Sequence, residues 1–280
     1  MVRIVDLPSA KASLIRDLLR EKKTRDAEGA FVIEGSKPIQ DLAECGTAAV
    51  EALVVTQAWL DQGEPRLRRW LERADAPVYR CREALFDRLS DVRTSQGILA
   101  VVGKPAWDQE AIFARRHLFG IFGEGLQDPA NVGAIIRTAA AFGIDALWLS
   151  ADSADVYSPK VVRATAGTLL TLPVFAVTDA PASFARQGCG LIAAELPGSG
   201  SAPIREITKL PCRAVLAFGN ESRGLSAGAL RQAALRFHIP VSPTVESLNV
   251  AASAAIAVFY FSALPKEGAK GGKSEKSGKG

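Results

Sequence analysis

The stretch at residues 123–139 decides the fold, and its sequence is Gly-Glu-Gly-Leu-Gln-Asp-Pro-Ala-Asn-Val-Gly-Ala-Ile-Ile-Arg-Thr-Ala. An apolar segment at residues 117–122 precedes it and predicts a buried strand, and its own apolar half predicts a helix. Its first two glycines suggest the glycine-rich turn of a dinucleotide-binding protein. That turn needs a third glycine where Asp128 stands, and a carboxylate there would repel a pyrophosphate at the helix N-terminus. The stretch therefore argues against a nicotinamide dinucleotide site.

The predicted helix carries one charged residue in an otherwise apolar run. Asn131 is expected to cap its N-terminus, and Gly143 is expected to end it. Arg137 lies near its middle, among isoleucines and alanines, and a guanidinium there needs a partner or a cleft. The alternative is a surface arginine whose aliphatic stem covers apolar surface while its head stays in water. Taken alone, the helix leaves both interpretations open.

Two further polar stretches follow predicted strands nearer the end of the chain. Residues 216–226 are Leu-Ala-Phe-Gly-Asn-Glu-Ser-Arg-Gly-Leu-Ser, and residues 239–255 are Ile-Pro-Val-Ser-Pro-Thr-Val-Glu-Ser-Leu-Asn-Val-Ala-Ala-Ser-Ala-Ala. Ser226 is expected to cap the helix that follows, and Ser247 and Asn249 to open an alanine-rich helix. Because open α/β sheets bind ligands at the carboxyl ends of their strands, all three stretches are candidates for a ligand site.

Strand and helix patterns alternate along the chain and predict an α/β protein. Beyond residue 112, the regular alternation predicts a parallel sheet covered by helices on both faces. The first 103 residues alternate as well and suggest a separate small α/β domain. We therefore expect a first domain at residues 1–103, a linker at 104–111, a second domain at 112–264 and a disordered basic tail at 265–280. The predicted strands of the second domain are residues 117–122, 146–149, 174–177, 190–194, 214–218 and 237–241, and its predicted helices are residues 131–142, 159–165, 181–187, 227–234 and 248–262.

Composition argues against several classes of protein. The net charge is +4, of which the five lysines and two glutamates of residues 265–280 supply +3, so the charge of the body is weak evidence for nucleic-acid binding. The sequence contains neither an apolar run of roughly 18 residues nor the apolar core of a signal peptide, so we expect no membrane helix. The four scattered cysteines form no CxxC pair, which argues against a metal site and fits a reducing cytoplasm.

In this order and spacing, the three stretches resemble the three motifs of the SpoU (TrmH-type) family of RNA ribose 2′-O-methyltransferases, within the SPOUT superfamily. The resemblance extends to the first domain, where residues 15–18 and 23–35 are similar to the family's substrate-binding domain, which has the fold of ribosomal protein L30e. It implies a SPOUT parallel-sheet catalytic domain with a deep trefoil knot, a connection otherwise nearly absent from proteins. It also implies a homodimer whose active site is completed across the interface.

The resemblance further implies which residues form the site. S-adenosylmethionine would be held by the loops that contain Phe218, Gly219, Glu221, Ile239, Pro240, Ser247 and Leu248. Arg137 would stabilise the alkoxide that develops on the ribose, because an arginine is permanently charged and has several donors. Asn131 and Asn249 would orient the hydroxyl or the arginine, and Glu221 would fix a partner arginine or the loop.

RNA contacts are expected from basic residues in both domains. Residues 157–167 are similar to a family segment near the active site, where Lys160 and Arg163 would grip phosphate; the alternative is an exposed helix face. Lys22, Lys23 and Arg25 are the candidates in the first domain. The expected substrate is large-subunit ribosomal RNA. The alternatives are a methyltransferase of transfer RNA and a non-catalytic RNA-binding or ribosome-assembly factor.

Overall fold

Two sheets organise the chain, and the computed structural model describes residues 3–92, 94–198 and 200–266. The first sheet has five strands in the order β1-β4-β3-β5-β2, in which β5 runs antiparallel to both of its neighbours and the other pairs are parallel. Its elements are β1 (Ile4–Asp6), α1 (Ser9–Arg20), α2 (Lys22–Glu28), β2 (Ala30–Glu34), α3 (Ser36–Cys45), β3 (Val50–Thr56), α4 (Gln57–Gln62), α5 (Pro65–Leu71), β4 (Val78–Cys81), α6 (Glu83–Leu89) and β5 (Ile98–Gly103).

The second sheet has seven strands in the order β10-β12-β9-β11-β6-β7-β8. Every pair in it is parallel, so the prediction of a parallel sheet is confirmed. Its elements are α7 (Gln109–Phe113), β6 (Leu118–Gly123), α8 (Pro129–Ala141), β7 (Leu147–Ser150), α9 (Pro159–Thr165), β8 (Val174–Val177), α10 (Ala180–Arg186), β9 (Gly190–Ala194), β10 (Ala202–Pro203), β11 (Arg213–Phe218), α11 (Ala227–Gln232), β12 (Ala233–His238) and α12 (Val250–Ser262).

Helices cover both faces of the second sheet because successive strand residues point to opposite sides. Ile121 of β6 packs into the apolar cluster that contains α8, α9 and α12, whereas Phe122 packs into the cluster of α7, α10 and α11. The cluster around Ile121 also includes Phe31 and Ile33 of β2. The two sheets are therefore joined by shared apolar packing as well as by the chain. None of the helices in the described ranges has the length and hydropathy needed to span a bilayer.

Some boundaries differ from the predicted ones. The strand predicted at residues 237–241 lies earlier, at Ala233–His238, because its residues pair with β9 and β10 only up to His238. The segment expected to link the domains, residues 104–111, contains the start of α7. Pro265 and Lys266 belong to the folded part, since Leu210 donates to the Pro265 carbonyl at 3.3 Å and pairs with Lys266. The remainder of the predicted disordered tail, residues 267–280, lies outside the described residues.

Candidate active site

The N-terminus of α8 is capped by Asp128, whose side chain accepts a hydrogen bond from the Ala130 N–H at 2.9 Å. Pro129 occupies the first helical position, where its missing N–H costs nothing. The prediction that Asn131 caps this helix is therefore wrong, because the helix begins two residues earlier than Asn131. As a result the Asn131 side chain, which is buried, is available for contacts outside its own helix.

Asn131 connects the three polar stretches by hydrogen bonds. Its Nδ2 donates to Glu221 Oε1 at 2.8 Å, and its Oδ1 accepts from Asn249 Nδ2 at 2.9 Å. Asn249 is also the N-cap of α12, because its Oδ1 accepts from the N–H groups of Ala251 and Ala252. The helix predicted to start at residue 248 thus begins at Val250. Three of the four predicted catalytic residues lie in one hydrogen-bonded network, which we call the Asn131 network (Asn131, Glu221 and Asn249).

The Asn131 network ends on an ionised carboxylate. Burial alone would raise the pKa of Glu221, but the hydrogen bond from Asn131 and bonds from backbone N–H groups outweigh it, so the pKa of Glu221 lies below its ordinary value. Two of these backbone groups belong to Gln127 and Asp128, at the entrance to α8. Glu221 therefore carries a negative charge at neutral pH and ties its loop to the first turn of α8.

A cavity of about 580 Å³ lies beside the Asn131 network. It is lined by residues 194–197, 218–225, 237–239, 241, 246–250 and 253, together with Leu230. These segments follow the neighbouring strands β9, β11 and β12, so the cavity is at the carboxyl ends of the strands, as predicted. Most of the predicted cofactor residues line it, namely Phe218, Gly219, Glu221, Ile239, Ser247 and Leu248. Pro240 lies between two lining residues without lining the cavity itself.

Gly219 permits a close backbone approach at the cavity wall. A Cβ added to Gly219 would lie 2.1 Å from the Gly224 carbonyl carbon and 2.2 Å from the Leu225 nitrogen, which no real side chain can occupy. Asn220, which the sequence analysis did not select, organises this loop. Its Oδ1 accepts from the N–H groups of Ser222 and Arg223, as in an Asx turn, and its Nδ2 donates to the Gly125 carbonyl at 2.7 Å.

Glu195 is a second lining residue that the sequence analysis missed. It directly follows β9, and its side chain is only 10% exposed. Its Oε2 is buried and, among the described residues, accepts no hydrogen bond, while Arg236 Nη1 lies 3.7 Å away. The Oε2 atom thus has an ion-pair neighbour but no hydrogen bond, so it can accept one from a bound molecule. Nothing in its local sequence, a strand of apolar residues followed by one acid, marks it as a site residue.

Arg137 is apart from the Asn131 network. It is exposed on α8 and makes no hydrogen bond or ion pair with any described residue. It lies six positions after Asn131, which corresponds to roughly 9 Å along a helix axis and a different helix face. Ile135 and Ile136 bury the opposite side of α8. Within one chain, therefore, neither asparagine orients this arginine.

Four of the five residues predicted to contact RNA lie at the surface, and the fifth is buried. Lys22, Lys23 and Lys160 are exposed, and the partly exposed Arg163 donates to Asp91 Oδ2 at 2.8 Å. Arg25 is a correction, because its side chain is 4% exposed and its donors are taken by protein acceptors. A guanidinium in that state is not available to a phosphate.

No group of His, Cys, Asp and Glu side chains in the described part of the chain is arranged to hold a metal ion.

Known proteins resemble the chain in both parts. Residues 119–259 match the SpoU rRNA methylase family, and residues 15–100 match the MRM3-like substrate-binding domain. The 23S rRNA guanosine 2′-O-methyltransferase RlmP of Bacillus subtilis is 30% identical to it over 91% of this chain and 98% of its own length. A solved protein of the TrmH family from Porphyromonas gingivalis is 34% identical, with a TM-score of 0.76 over 91% of this chain and 98% of that one.

A further solved structure carries the cofactor. The SpoU methyltransferase AviRb of Streptomyces viridochromogenes, determined in complex with AdoMet, is 26% identical, with a TM-score of 0.79 over 90% of this chain and 97% of that one. The family match covers half of the chain, and these relatives align with it almost from end to end. The chain therefore belongs to the SpoU family of rRNA methylases.

Proposed function

We propose that the protein is an S-adenosylmethionine-dependent methyltransferase that modifies a ribose 2′-hydroxyl in large-subunit ribosomal RNA. The observation that carries this proposal is the Asn131 network, which joins all three polar stretches at the wall of one cavity. The named activities of the relatives support the reaction and the substrate class. The match of residues 15–100 to a substrate-binding domain supports a division into an RNA-binding part, residues 1–103, and a catalytic part, residues 112–264.

The cavity suits S-adenosylmethionine by size and by chemistry. Its volume is within the range of small-molecule sites. Gly219 keeps the wall free of a side chain at its position. Glu195 Oε2, which accepts no hydrogen bond from the described residues, can receive one from a hydroxyl or ammonium donor. Phe218, Ile239 and Leu248 supply apolar contacts, and Ser247 supplies a hydroxyl. S-adenosylmethionine supplies an activated methyl group that needs little assistance as it leaves its sulfonium.

The remaining task of the chain is to position the ribose and to stabilise its developing charge. Arg137 suits this role because its guanidinium is permanently charged and its donors are unused within the described chain. Glu221 is ionised and holds Asn131 by a hydrogen bond, so it acts by fixing the network. Asn249 holds the other end of that network against α12. Phe218, which is buried, contributes an apolar side chain to the same wall.

We further propose a homodimer that completes this site. Apolar side chains lie exposed near the end of α8 and on α12: Phe142 is 41% exposed, Ile256 is 40% exposed and Phe259 is 66% exposed. The rings of Phe142 and Phe259 are in contact, with centroids 6.1 Å apart. Such a patch is favourably covered by a second copy. Arg137 lies on the same helix as Phe142, so a partner seated there would bring its own cavity near this arginine.

The proposed fold also includes the trefoil knot expected of the superfamily. The loops at residues 218–225 and 239–249 would form it, and the packing of α12 against both α8 and β11 supports such a return of the chain. The knot would hold both cavity loops in place without a ligand. Because the proposed substrate is ribosomal RNA, we propose the cytoplasm as the compartment in which the protein acts.

The test combines two measurements. Calorimetric titration with S-adenosylmethionine should give one binding event per chain, whereas a non-catalytic RNA-binding factor need not bind it. Mapping of alkali-resistant ribose positions in ribosomal RNA from a deletion strain should reveal one position that loses its 2′-O-methyl group. Restoring the gene, but not an Arg137→Ala variant, should restore that methyl group. A complete set of 2′-O-methyl groups in the deletion strain would refute the proposed substrate.

A further inference from the structure

The buried Arg25 joins the two parts of the chain. Its Nε and Nη2 donate to the same oxygen of Asp155, Oδ2, at 2.8 and 2.6 Å, and its Nη1 donates to the Leu18 carbonyl at 2.6 Å. The side chains of Arg25 and Asp155 are 4% and 13% exposed. Arg25 belongs to α2 beside the first sheet, whereas Asp155 lies between β7 and α9 beside the second. Burying two charges is costly unless they are paired and hydrogen-bonded, and here both are.

Asp155 also forms hydrogen bonds with the segment that leads into α9. Its second oxygen, Oδ1, accepts from the Tyr157 N–H at 3.0 Å, and its carbonyl accepts from the Ser158 N–H just before α9. Helix α9 then packs closely on α8, because a Cβ added to Gly133 would lie 2.3 Å from Ala164 Cβ. The helix that carries Asn131 and Arg137 is thus connected to α2 through Asp155 and α9.

Tyr157, whose N–H donates to Asp155, makes further contacts with the first part of the chain. The rings of Phe31 and Tyr157 have centroids 4.9 Å apart, and Lys104 Nζ lies 5.0 Å from the Tyr157 ring while it pairs with Asp26 at 2.7 Å. Burial raises the pKa of Tyr157 to about 12. A second ion pair, Arg163–Asp91, crosses the same boundary, but its side chains are 34% and 47% exposed.

We propose that the Arg25–Asp155 pair is a positioning device that fixes the RNA-binding part relative to the catalytic part. Arg25 and Asp155 act through other residues and touch neither RNA nor cofactor. This inference rests on the proposed function in one respect, namely that the RNA contacts both parts of the chain at once. A fixed relative orientation makes the second contact effectively intramolecular, so RNA affinity depends on it. None of the described residues that line the cavity forms a hydrogen bond with Arg25 or Asp155, so we expect the cavity to be independent of the pair.

The decisive variant removes the directional bonds while leaving no uncompensated charge. In Arg25→Met/Asp155→Asn, the asparagine keeps an oxygen for the Tyr157 N–H, and the methionine fills the space of the arginine stem. Because Arg25→Met alone leaves the buried Asp155 carboxylate unpaired and the double variant does not, we expect the melting temperature to recover relative to Arg25→Met. We expect the Kd for a ribosomal RNA fragment, and its KM, to stay raised by about tenfold or more, the scale of a lost second contact. The turnover at saturating RNA and the affinity for S-adenosylmethionine should change less than about threefold.

Two further measurements separate the outcomes. Small-angle X-ray scattering should show a larger radius of gyration for the double variant, while the matched control Asp91→Asn, at the exposed pair, should leave it unchanged. Arg25→Lys retains the charge and the fold, but its single ammonium cannot serve both Asp155 and Leu18, so it should raise the RNA Kd as well. RNA affinity that recovers together with stability in the double variant would overturn the proposal. Scattering and RNA binding need no methyl transfer, so an inactive wild-type protein would refute the proposed function without affecting this test.

Discussion

Asn249 Nδ2 donates to Asn131 Oδ1 at 2.9 Å, and this bond fixes the orientation of both amides. The Asn249 oxygen already accepts from the N–H groups at the start of α12, so the nitrogen of its amide must face Asn131. Since the Asn131 oxygen is thereby occupied, its nitrogen faces Glu221. The network is therefore directional, from the N-terminus of α12 to an ionised carboxylate.

The ionised Glu221 at the end of the Asn131 network predicts a pH dependence of stability. The pKa of Glu221 is lower in the folded chain than its ordinary value of 4.5, so the stability that it contributes is fully present above that value. It is lost progressively as the pH falls through 4.5 and then through the folded pKa. In urea unfolding, wild type should exceed Glu221→Gln in stability at neutral pH, and the difference should shrink in acid. A difference that grows in acid would contradict the lowered pKa.

Arg137 is expected to act in the reaction and not in cofactor binding. Arg137→Ala should reduce turnover by about 10²–10³-fold, the scale for losing one preorganised donor to a developing charge. Arg137→Lys should restore little, because an ammonium lacks the paired donors of a guanidinium. Single-turnover methylation rates at saturating cofactor, together with calorimetric cofactor affinities, test this. Normal turnover of Arg137→Ala would return this arginine to the surface interpretation.

Gly219 is expected to act in cofactor binding and not in the reaction, which is the reverse of the expectation for Arg137. Any side chain at this position would overlap the backbone of Gly224 and Leu225, so Gly219→Val should distort the cavity wall. We expect cofactor affinity to fall by at least about tenfold, which is the effect of losing about 1.4 kcal/mol. The turnover measured with enough cofactor to saturate the variant should fall much less than in Arg137→Ala. Unchanged cofactor affinity would mean that the cavity is not the cofactor site.

Glu195 is expected to bind the cofactor through Oε2, which accepts no hydrogen bond from the described residues. Glu195→Gln keeps the shape and removes the charge, so the cofactor Kd should rise by about tenfold, a typical value for a hydrogen bond to a charged group. The exposed Glu206 is a matched control, and Glu206→Gln should bind the cofactor normally. Equal affinities of wild type and Glu195→Gln in calorimetry would show that the carboxylate faces only Arg236.

Phe259 is expected to be central to the dimer. Phe259→Asp would place a charge in the exposed apolar patch, so sedimentation should report a monomer at concentrations where wild type is a dimer. The cavity lies within one chain, and its cofactor affinity should therefore be retained. Methylation should be lost with the dimer if Arg137 serves a partner's cavity. A monomeric wild-type protein with full activity would exclude the proposed interface.

Sequence patterns predicted the parallel sheet and two of the segments that line the cavity, those after β11 and β12, because both depend on local order: a strand, a polar loop, then a helix. The cap of α8 was missed although its signal was local. Asp128 followed by Pro129 is a common way to start a helix, but Asn131 offered a second capping residue three positions later. The choice between them depends on Glu221 and Asn249, which are close to Asn131 only in the folded chain.

Arg25 could not have been assigned correctly from its surroundings in the sequence. It lies in a basic segment with Lys22 and Lys23, both exposed, and only the fold brings Asp155 to it. Glu195 is similar, because its significance depends on a cavity that three distant segments enclose. In both cases the informative quantity is burial, and burial of a single charged residue is determined by long-range packing.

The pairing of β11 with β6 has a consequence for the order of events during synthesis. Arg213 pairs with Leu118, and the cavity wall extends as far as Ser253, so the wall cannot close until the chain has been made as far as Ser253. Contacts so distant in sequence close slowly. The cofactor therefore cannot stabilise a growing chain that is still too short to include the cavity wall. The stability of this shorter chain depends on the first sheet, whose strands are complete once Gly103 has been made.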